Sequence, residues 1–539
     1  MAIGRLAVAL ATAARRLSGF AAIASRRQSL RNATVVICDE DVPTSEPAPF
    51  PNRNASRHSR PGSAKQSCNT SLTSSSRAPH STTKNELPWG DLVEKANIID
   101  SSSDCRMQDY MHSGNQCSDV DACSSSSSSG SSSSPFPVKM EVEGGVPVHL
   151  YTDDIDEGTK RQLINLARSR MPVGYVAAMP DVHLGKGATI GSVFASREYV
   201  CPNAVGVDIG CGMCAVPVEG PLRRKDLSEK KLLAIQRGLR SSIPTGFDSH
   251  DSSTGVMQKT MQRLVSEHTP TTWLKHTLTH RHTRQLGTLG GGNHFVELVY
   301  DEQDRVWMML HSGSRNIGNI TAQHYDEVAT RQCTGQRESL AYLEIASRQG
   351  QDYLTDMSFC QAYAFENRQF MMEAFAKILK KETGKTALWS KIVNIHHNYC
   401  ECEQCRYYDE KKGEWREEQL WVTRKGATSA KAGQLGIIPG SMGTGSYIVR
   451  GKGTADSWQS CSHGAGRSMS RKQAFQHIDN RDFVGHMKKK GIIWDSRFAD
   501  RVKDEAPMAY KDLGQVMQNQ ESLVDIVHHL QPLINMKGW

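Results

Sequence analysis

No stretch of this chain reaches about 18 uninterrupted apolar residues, which excludes a membrane-spanning helix. Cysteine is sparse and irregular. Fourteen thiols are scattered over 539 residues, without the regular spacing of a disulfide framework. They read as reduced thiols, some of them metal ligands. Familiar nucleotide and acyl-transfer signatures are also missing. There is no Lys-x-Asp-Gly string and no Gly-x-Ser-x-Gly elbow. Gly384-Lys385-Thr386 copies the end of a phosphate loop, but Leu379 stands where its first glycine must be. Charge of one sign is missing locally: the first 38 residues hold no Asp or Glu. The net charge of +8 is mildly basic and compatible with a polyanionic partner.

That acid-free start carries Arg5, Arg15, Arg16, Arg26, Arg27 and Arg31 among Ala, Leu, Ile and Ser. Such composition is that of an organellar transit peptide, for mitochondrion or plastid. A cytoplasmic protein with a basic tail is the alternative. Residues 39–136 are low-complexity, with a serine tract at 124–134 broken by Gly130. Sequence of this kind cannot bury enough apolar surface to offset its ordering entropy, so a disordered linker is expected. From residue 137 the texture changes. Strand-like runs occur at Tyr175–Met179, Ala188–Ala195, Ala204–Ile209, Val306–Leu310 and Tyr447–Val449. Helical periodicity covers Leu227–Leu239 and Phe359–Leu379, the latter ending near Gly384, and Glu521–Leu530 reads as a last helix. Strands and helices mix without a βαβ rhythm. The expected fold class is therefore α+β, a single large catalytic domain over 137–539 with mixed β-sheets and surrounding helices.

Three constellations carry chemistry. Val207-Asp208-Ile209-Gly210-Cys211-Gly212 sets a carboxylate and a thiol three apart on a glycine-rich turn, where they can converge on one ion. Histidines recur in polar, glycine-rich strings near strand ends: Gly291-Gly292-Asn293-His294, His311-Ser312-Gly313-Ser314-Arg315 and Ile395-His396-His397-Asn398. One Asp, one Cys and three His make a dinuclear transition-metal site; ligand softness alone points to Zn, Co or Fe. Cys461-Ser462-His463-Gly464-Ala465-Gly466-Arg467 surrounds a His and an Arg with small residues that admit a large anion. The Gly/Ser loop Pro439–Ser446 offers backbone N–H groups to phosphate. Cys400, Cys402 and Cys405 form a thiol-rich loop that lacks the fourth ligand of a zinc knuckle.

These strings, with Met179-Pro180-Asp181-Val182-His183, Arg424-Lys425-Gly426-Ala427, Pro439-Gly440-Ser441-Met442-Gly443 and Asp504-Glu505-Ala506-Pro507, resemble the RtcB family of RNA-splicing ligases. The match runs in family order over 137–539 and looks closer to the shorter bacterial branch. The resemblance implies a GTP- and Mn(II)-dependent ligase joining RNA 3′-phosphate or 2′,3′-cyclic phosphate ends to 5′-hydroxyl ends. It implies two Mn(II) ions held by Asp208, Cys211, His294, His311 and His397, and His463 as the guanylylated nucleophile. His397 is taken over His396 because it directly precedes the Asn. GTP contacts are implied at Asn293, Glu297, Ser441, Ser446, Ala465, Arg467, Tyr510 and Lys537. RNA, tRNA among the candidates, is the implied partner; no membrane partner is expected, and an activating protein is left open. The chain departs from the family pattern in its N-terminal extension, its thiol-rich loop and Thr423. Two other readings stay open. One is a metal-dependent RNA phosphodiesterase or repair hydrolase, which needs the metals but not His463. The other is a non-catalytic RNA-binding subunit.

Overall fold

Val306-Trp307-Met308-Met309-Leu310 has no polar side chain to turn toward water, and it becomes a strand covered on both faces. The computed structural model describes residues 135–220, 222–333, 340–410 and 412–538. Within it, the strand Val306–Ser312 is buried at every position. It sits inside a seven-stranded antiparallel sheet. The order is Val393–His396, Gly212–Pro217, Val306–Ser312, Phe295–Tyr300, Val524–Lys537, Ser446–Gly451 and Leu435–Pro439. The first and last of these strands lie against each other, so the sheet curls toward closure. A second sheet has six strands, with Val173–His183 and Ile190–Ser196 at its centre and the hairpin Asn398–Asp409/Glu414–Lys425 at one edge. The transit-peptide and linker expectations for 1–136 fall almost wholly outside the described residues.

Helices cover one face of the seven-stranded sheet. The longest, Arg348–Thr383, is capped by Ser347 and ends at Gly384, which takes a φ of 73° that favours glycine. Its Met371, Met372, Phe375 and Leu379 pack with Ile235 and Leu239 of helix Glu229–Ser242 over Val216, Val296 and Leu310 of the sheet. Met213, Ala215, Phe295, Val299 and Met309 fill the opposite face together with Ile437 and Ile448. A helix was expected over Phe359–Leu379, and it extends eleven residues further toward the N-terminus.

Two expected elements are different in kind. Ala204–Ile209 is not a strand: Pro202 starts a one-turn helix, Pro202–Val205, and Gly206 at φ 99° turns the chain into a bend. Glu521–Leu530 is not a helix: from Val524 to Lys537 the chain is a strand inserted between two others. A register shift opposite Ile448/Val449 interrupts its two-residue alternation, and the apolar spacing then mimics a helical period. The thiol-rich segment is a strand of the edge hairpin, not a loop. Cys400 is buried in one core cluster, Cys405 in another, and Cys402 faces solvent.

Candidate functional site

Neighbouring strands of the seven-stranded sheet deliver donor groups at one common end. Cys211 immediately precedes Gly212–Pro217, and His294 immediately precedes Phe295–Tyr300. His311 lies near the end of Val306–Ser312, in register with both Met213 and Phe295. His397 follows Val393–His396, whose last residue pairs with Gly212. Gly212 makes that pairing possible, since a Cβ there would sit 1.8 Å from the Ile395 carbonyl oxygen. Gly313 is needed for a similar reason: its Cβ would lie 2.2 Å from Asp208 Oδ1.

The donors face one another. Cys211 Sγ is 3.3 Å from His294 Nε2 and 3.2 Å from His311 Nε2. Asp208 Oδ2 is 3.0 Å from His294 Nε2, and His397 Nε2 is 3.2 Å from His311 Nε2. The five donors thus form a chain centred on the thiol. The donor atoms of Cys211, His294 and His311 all lie within 4.8 Å of one another, the one such group among the described residues. Burial, then the neighbouring imidazoles, holds His311 and His397 well below the usual histidine range. Burial and the Asp208 carboxylate push the Cys211 thiol far up. Burial disfavours the Asp208 anion, but its contacts with His294 and Cys211 outweigh this and hold its carboxyl low. A carboxylate, a thiol and three imidazoles brought together form a donor set that fits divalent cations.

Backbone carbonyls fix the ring orientations. His294 Nδ1 is 3.0 Å from the Leu289 carbonyl, which leaves Nε2 as the lone-pair nitrogen. His396 lies outside the cluster: its Nδ1 is 2.9 Å from the Gly210 carbonyl and 3.2 Å from Arg368 Nη2. Arg368, fully buried on the long helix, also donates from Nη1 to the carbonyls of Gly210 and Ser312 at 2.9 and 3.0 Å. Each of those residues adjoins a donor, Cys211 or His311.

His463 stands at the edge of this cluster, its ring centroid 5.0 Å from that of His397. It follows the short strand Ser460–Ser462, and its Nδ1 lies 2.6 Å from Asp181 Oδ2. The same oxygen accepts the backbone N–H groups of His463 and Gly464, both at 3.1 Å. Asp181 is fully buried. The carboxylate engages Nδ1 and leaves Nε2 as the ring nitrogen without that partner.

A cavity of about 660 Å³ opens beside His463 and His311. Every residue expected to contact nucleotide lines it: Asn293, Glu297 and Lys537 from the sheet, Ser441 and Ser446 from the Gly/Ser loop, and Ala465, Arg467 and Tyr510 opposite. The sheet explains the convergence, since Lys537 pairs with Phe295 and Pro439 with Ser446 at the same end as the donors. Glu297 is buried with Asn535 Nδ2 donating to it at 2.6 Å, and burial raises its carboxyl to about 7. Glu505 is a hub. Its Oε2 accepts from Lys537 Nζ at 2.9 Å and the Tyr510 hydroxyl at 2.7 Å. Its Oε1 accepts from Arg471 at 2.7 Å and Arg467 at 3.4 Å. Asp181 and Glu505 both sit in quoted motif strings, yet nothing in the sequence assigned either a role. Each acts through a partner distant in the chain.

Comparison with known proteins follows these features. The family model described as "tRNA-splicing ligase RtcB" matches residues 162–538. The RNA-splicing ligase RtcB of Escherichia coli is 38% identical over 432 residues, covering 75% of this chain and 97% of that protein. The protein of the same name from Mycobacterium tuberculosis is 30% identical over 443 residues, covering 70% of this chain and all of that one. The tRNA-splicing ligase RtcB of Nanoarchaeum equitans is 28% identical over 474 residues, 74% of this chain and 97% of its own.

Proposed function

The chain belongs to the RtcB family of RNA-splicing ligases, and on that premise we propose that it seals RNA 3′-phosphate or 2′,3′-cyclic phosphate ends to 5′-hydroxyl ends, with GTP and Mn(II), through a guanylylated His463. The observation that carries the reading is the Asp181–His463 pair beside the cavity. With Nδ1 held by Asp181 Oδ2 at 2.6 Å, Nε2 is the nitrogen free to act as nucleophile.

His463 Nε2 attacks the α-phosphorus of GTP; a P–N bond forms and pyrophosphate leaves. An oxygen of the RNA 3′-phosphate then attacks the same phosphorus, breaking the P–N bond and returning the imidazole. The 5′-hydroxyl attacks the RNA phosphorus, GMP departs and the hydroxyl proton is released. A cyclic end must first be opened by water. Lys537 would contact the guanine, and Glu297, Ser441, Ser446 and Arg467, which line the same cavity, would share the guanine and phosphate contacts. Asn293 adjoins the donor His294, lines the same cavity and would join those contacts. Glu505 holds Lys537 and Tyr510 in position before nucleotide arrives. Asp208, Cys211, His294, His311 and His397 would hold the metal, which when bound supplies charge neutralisation at the phosphates.

Two observations support this over a hydrolase. A metal-dependent hydrolase that works through the donor cluster alone would leave two features without a part, the imidazole of His463 held by buried Asp181 and the cavity of about 660 Å³ beside it. The test is incubation with α-labelled GTP and Mn(II). An acid-labile covalent GMP adduct is expected; a protein that cleaves or binds RNA yet forms no adduct contradicts the reading.

A further inference from the structure

Phe247 is the most exposed large apolar side chain among the described residues, at 90%. A lone apolar residue in water needs no explanation by itself. Phe247 differs because its backbone is fixed while its ring is left free. It lies in the turn between helices Glu229–Ser242 and Gly255–His268. Gly246 N–H donates to the Gly290 carbonyl at 2.8 Å, and Leu289 N–H to Pro244 at 2.9 Å. Three arginines hold the turn from outside. Arg315 donates to the Gly246 carbonyl at 2.7 Å, Arg281 to the Phe247 carbonyl at 2.9 Å and Arg284 to the Asp251 carbonyl at 3.0 Å. Arg315 does so from a left-handed backbone, φ 59°, a conformation a non-glycine residue adopts only when its surroundings impose it.

The turn is built directly onto the segment that carries Asn293 and His294. Leu289, which pairs with Pro244, is also the residue whose carbonyl orients His294. Arg281 and Arg284 each use one N–H on a carbonyl of the turn. The exposed carboxylates of Asp248 and Asp251 in the same turn offset the charge of these two guanidinium groups, so the feature that singles out the turn is its rigidly presented aromatic face, which suits an unpaired base of single-stranded nucleic acid. Bases stack on the ring. An apolar protein surface would gain from the ring but would have to desolvate both guanidinium groups.

We infer that Phe247 is a stacking platform for an unpaired base close to the RNA end being joined. This rests on the RNA-ligase reading and adds a substrate subsite outside the nucleotide cavity.

The test uses the full chain, as wild type, Phe247→Ala and Phe247→Trp. Binding of a fluorescent single-stranded RNA ending in 3′-phosphate is followed by anisotropy, and adduct formation with labelled GTP is followed in parallel. Because the ring makes no packing contribution, Phe247→Ala is expected to fold normally. It should bind RNA about 5- to 100-fold more weakly. Phe247→Trp should retain the affinity, and all three proteins should form the adduct at similar rates. Replacing the terminal bases of the RNA by abasic sugars should erase the difference between wild type and Phe247→Ala. Unchanged RNA affinity in Phe247→Ala overturns the inference, as does an equal deficit with abasic RNA. Absence of an adduct in the wild type would count against the ligase reading, whereas the anisotropy comparison decides the platform.

Discussion

Asp181 and His463 are 282 positions apart and share one oxygen-to-nitrogen contact of 2.6 Å. If that contact orients the nucleophile, Asp181→Asn should slow adduct formation by about 10²- to 10⁴-fold, because an amide can favour the wrong tautomer. The metal content of the purified variant should not change, since Asp181 is not among the donors. Rapid adduct formation in Asp181→Asn would remove Asp181 from that role. Glu297 offers a pH test. Burial raises its carboxyl from the ordinary 4.5 to about 7, so the folded state binds more protons between the two. The resulting stability is present at low pH and lost as pH rises through about 7. Glu297→Gln should therefore unfold at a higher temperature than wild type at pH 8 and at nearly the same temperature near pH 4, while binding GTP less tightly. A variant less stable at pH 8 would contradict this. Donor residues such as Cys211 and His294 were legible in the sequence because glycines and polar residues flank them at strand ends. Asp181 was not, because a lone aspartate in a strand carries no mark of the histidine it will meet.

Strands and one helix set the spacing of the site. The donors converge because adjacent antiparallel strands expose their ends on one side, and the long helix locks those ends through Arg368. Arg368→Leu leaves every donor side chain in place but removes donors from the Gly210 and Ser312 carbonyls. Taking Arg368 from the Ser312 carbonyl and Asn394 Oδ1, and leaving the Gly210 carbonyl with His396 Nδ1 alone, should cost about 3 kcal/mol or more. The melting temperature and the metal content of the protein should fall together, as thermal denaturation and metal analysis would read. A stable Arg368→Leu protein with full metal content would show that the helix does not position the site. Elements with an uninterrupted period were legible, as in helix Arg348–Thr383 and strand Val306–Ser312. Strand Val524–Lys537 was not, because its bulge breaks the alternation that identifies a strand. The short helix at Pro202 was also missed, its apolar residues outweighing the proline that starts it.

At the scale of the molecule, the fold class followed from the irregular mixing of strands and helices, while the curling of the sheet depends on pairings between distant segments that no local pattern encodes. All donor and cavity residues lie between Asp156 and Lys537, so a truncation beginning at Val138 should join RNA ends as fast as the full chain. A soluble, folded truncation that fails to ligate would assign the first 137 residues a catalytic part. Import into an organelle remains a proposal for those residues, carried by six arginines and no acid in the first 38. In the proposed reaction His463 carries the guanylate and the donor cluster does not. The most direct measurement gives His463→Ala both labelled GTP and an RNA whose 3′-phosphate is already guanylylated. The variant should retain its metal, form no GMP adduct, fail to join ordinary ends and still seal the pre-activated RNA. A variant that keeps the labelled adduct, or loses its metal together with its activity, would contradict the claim.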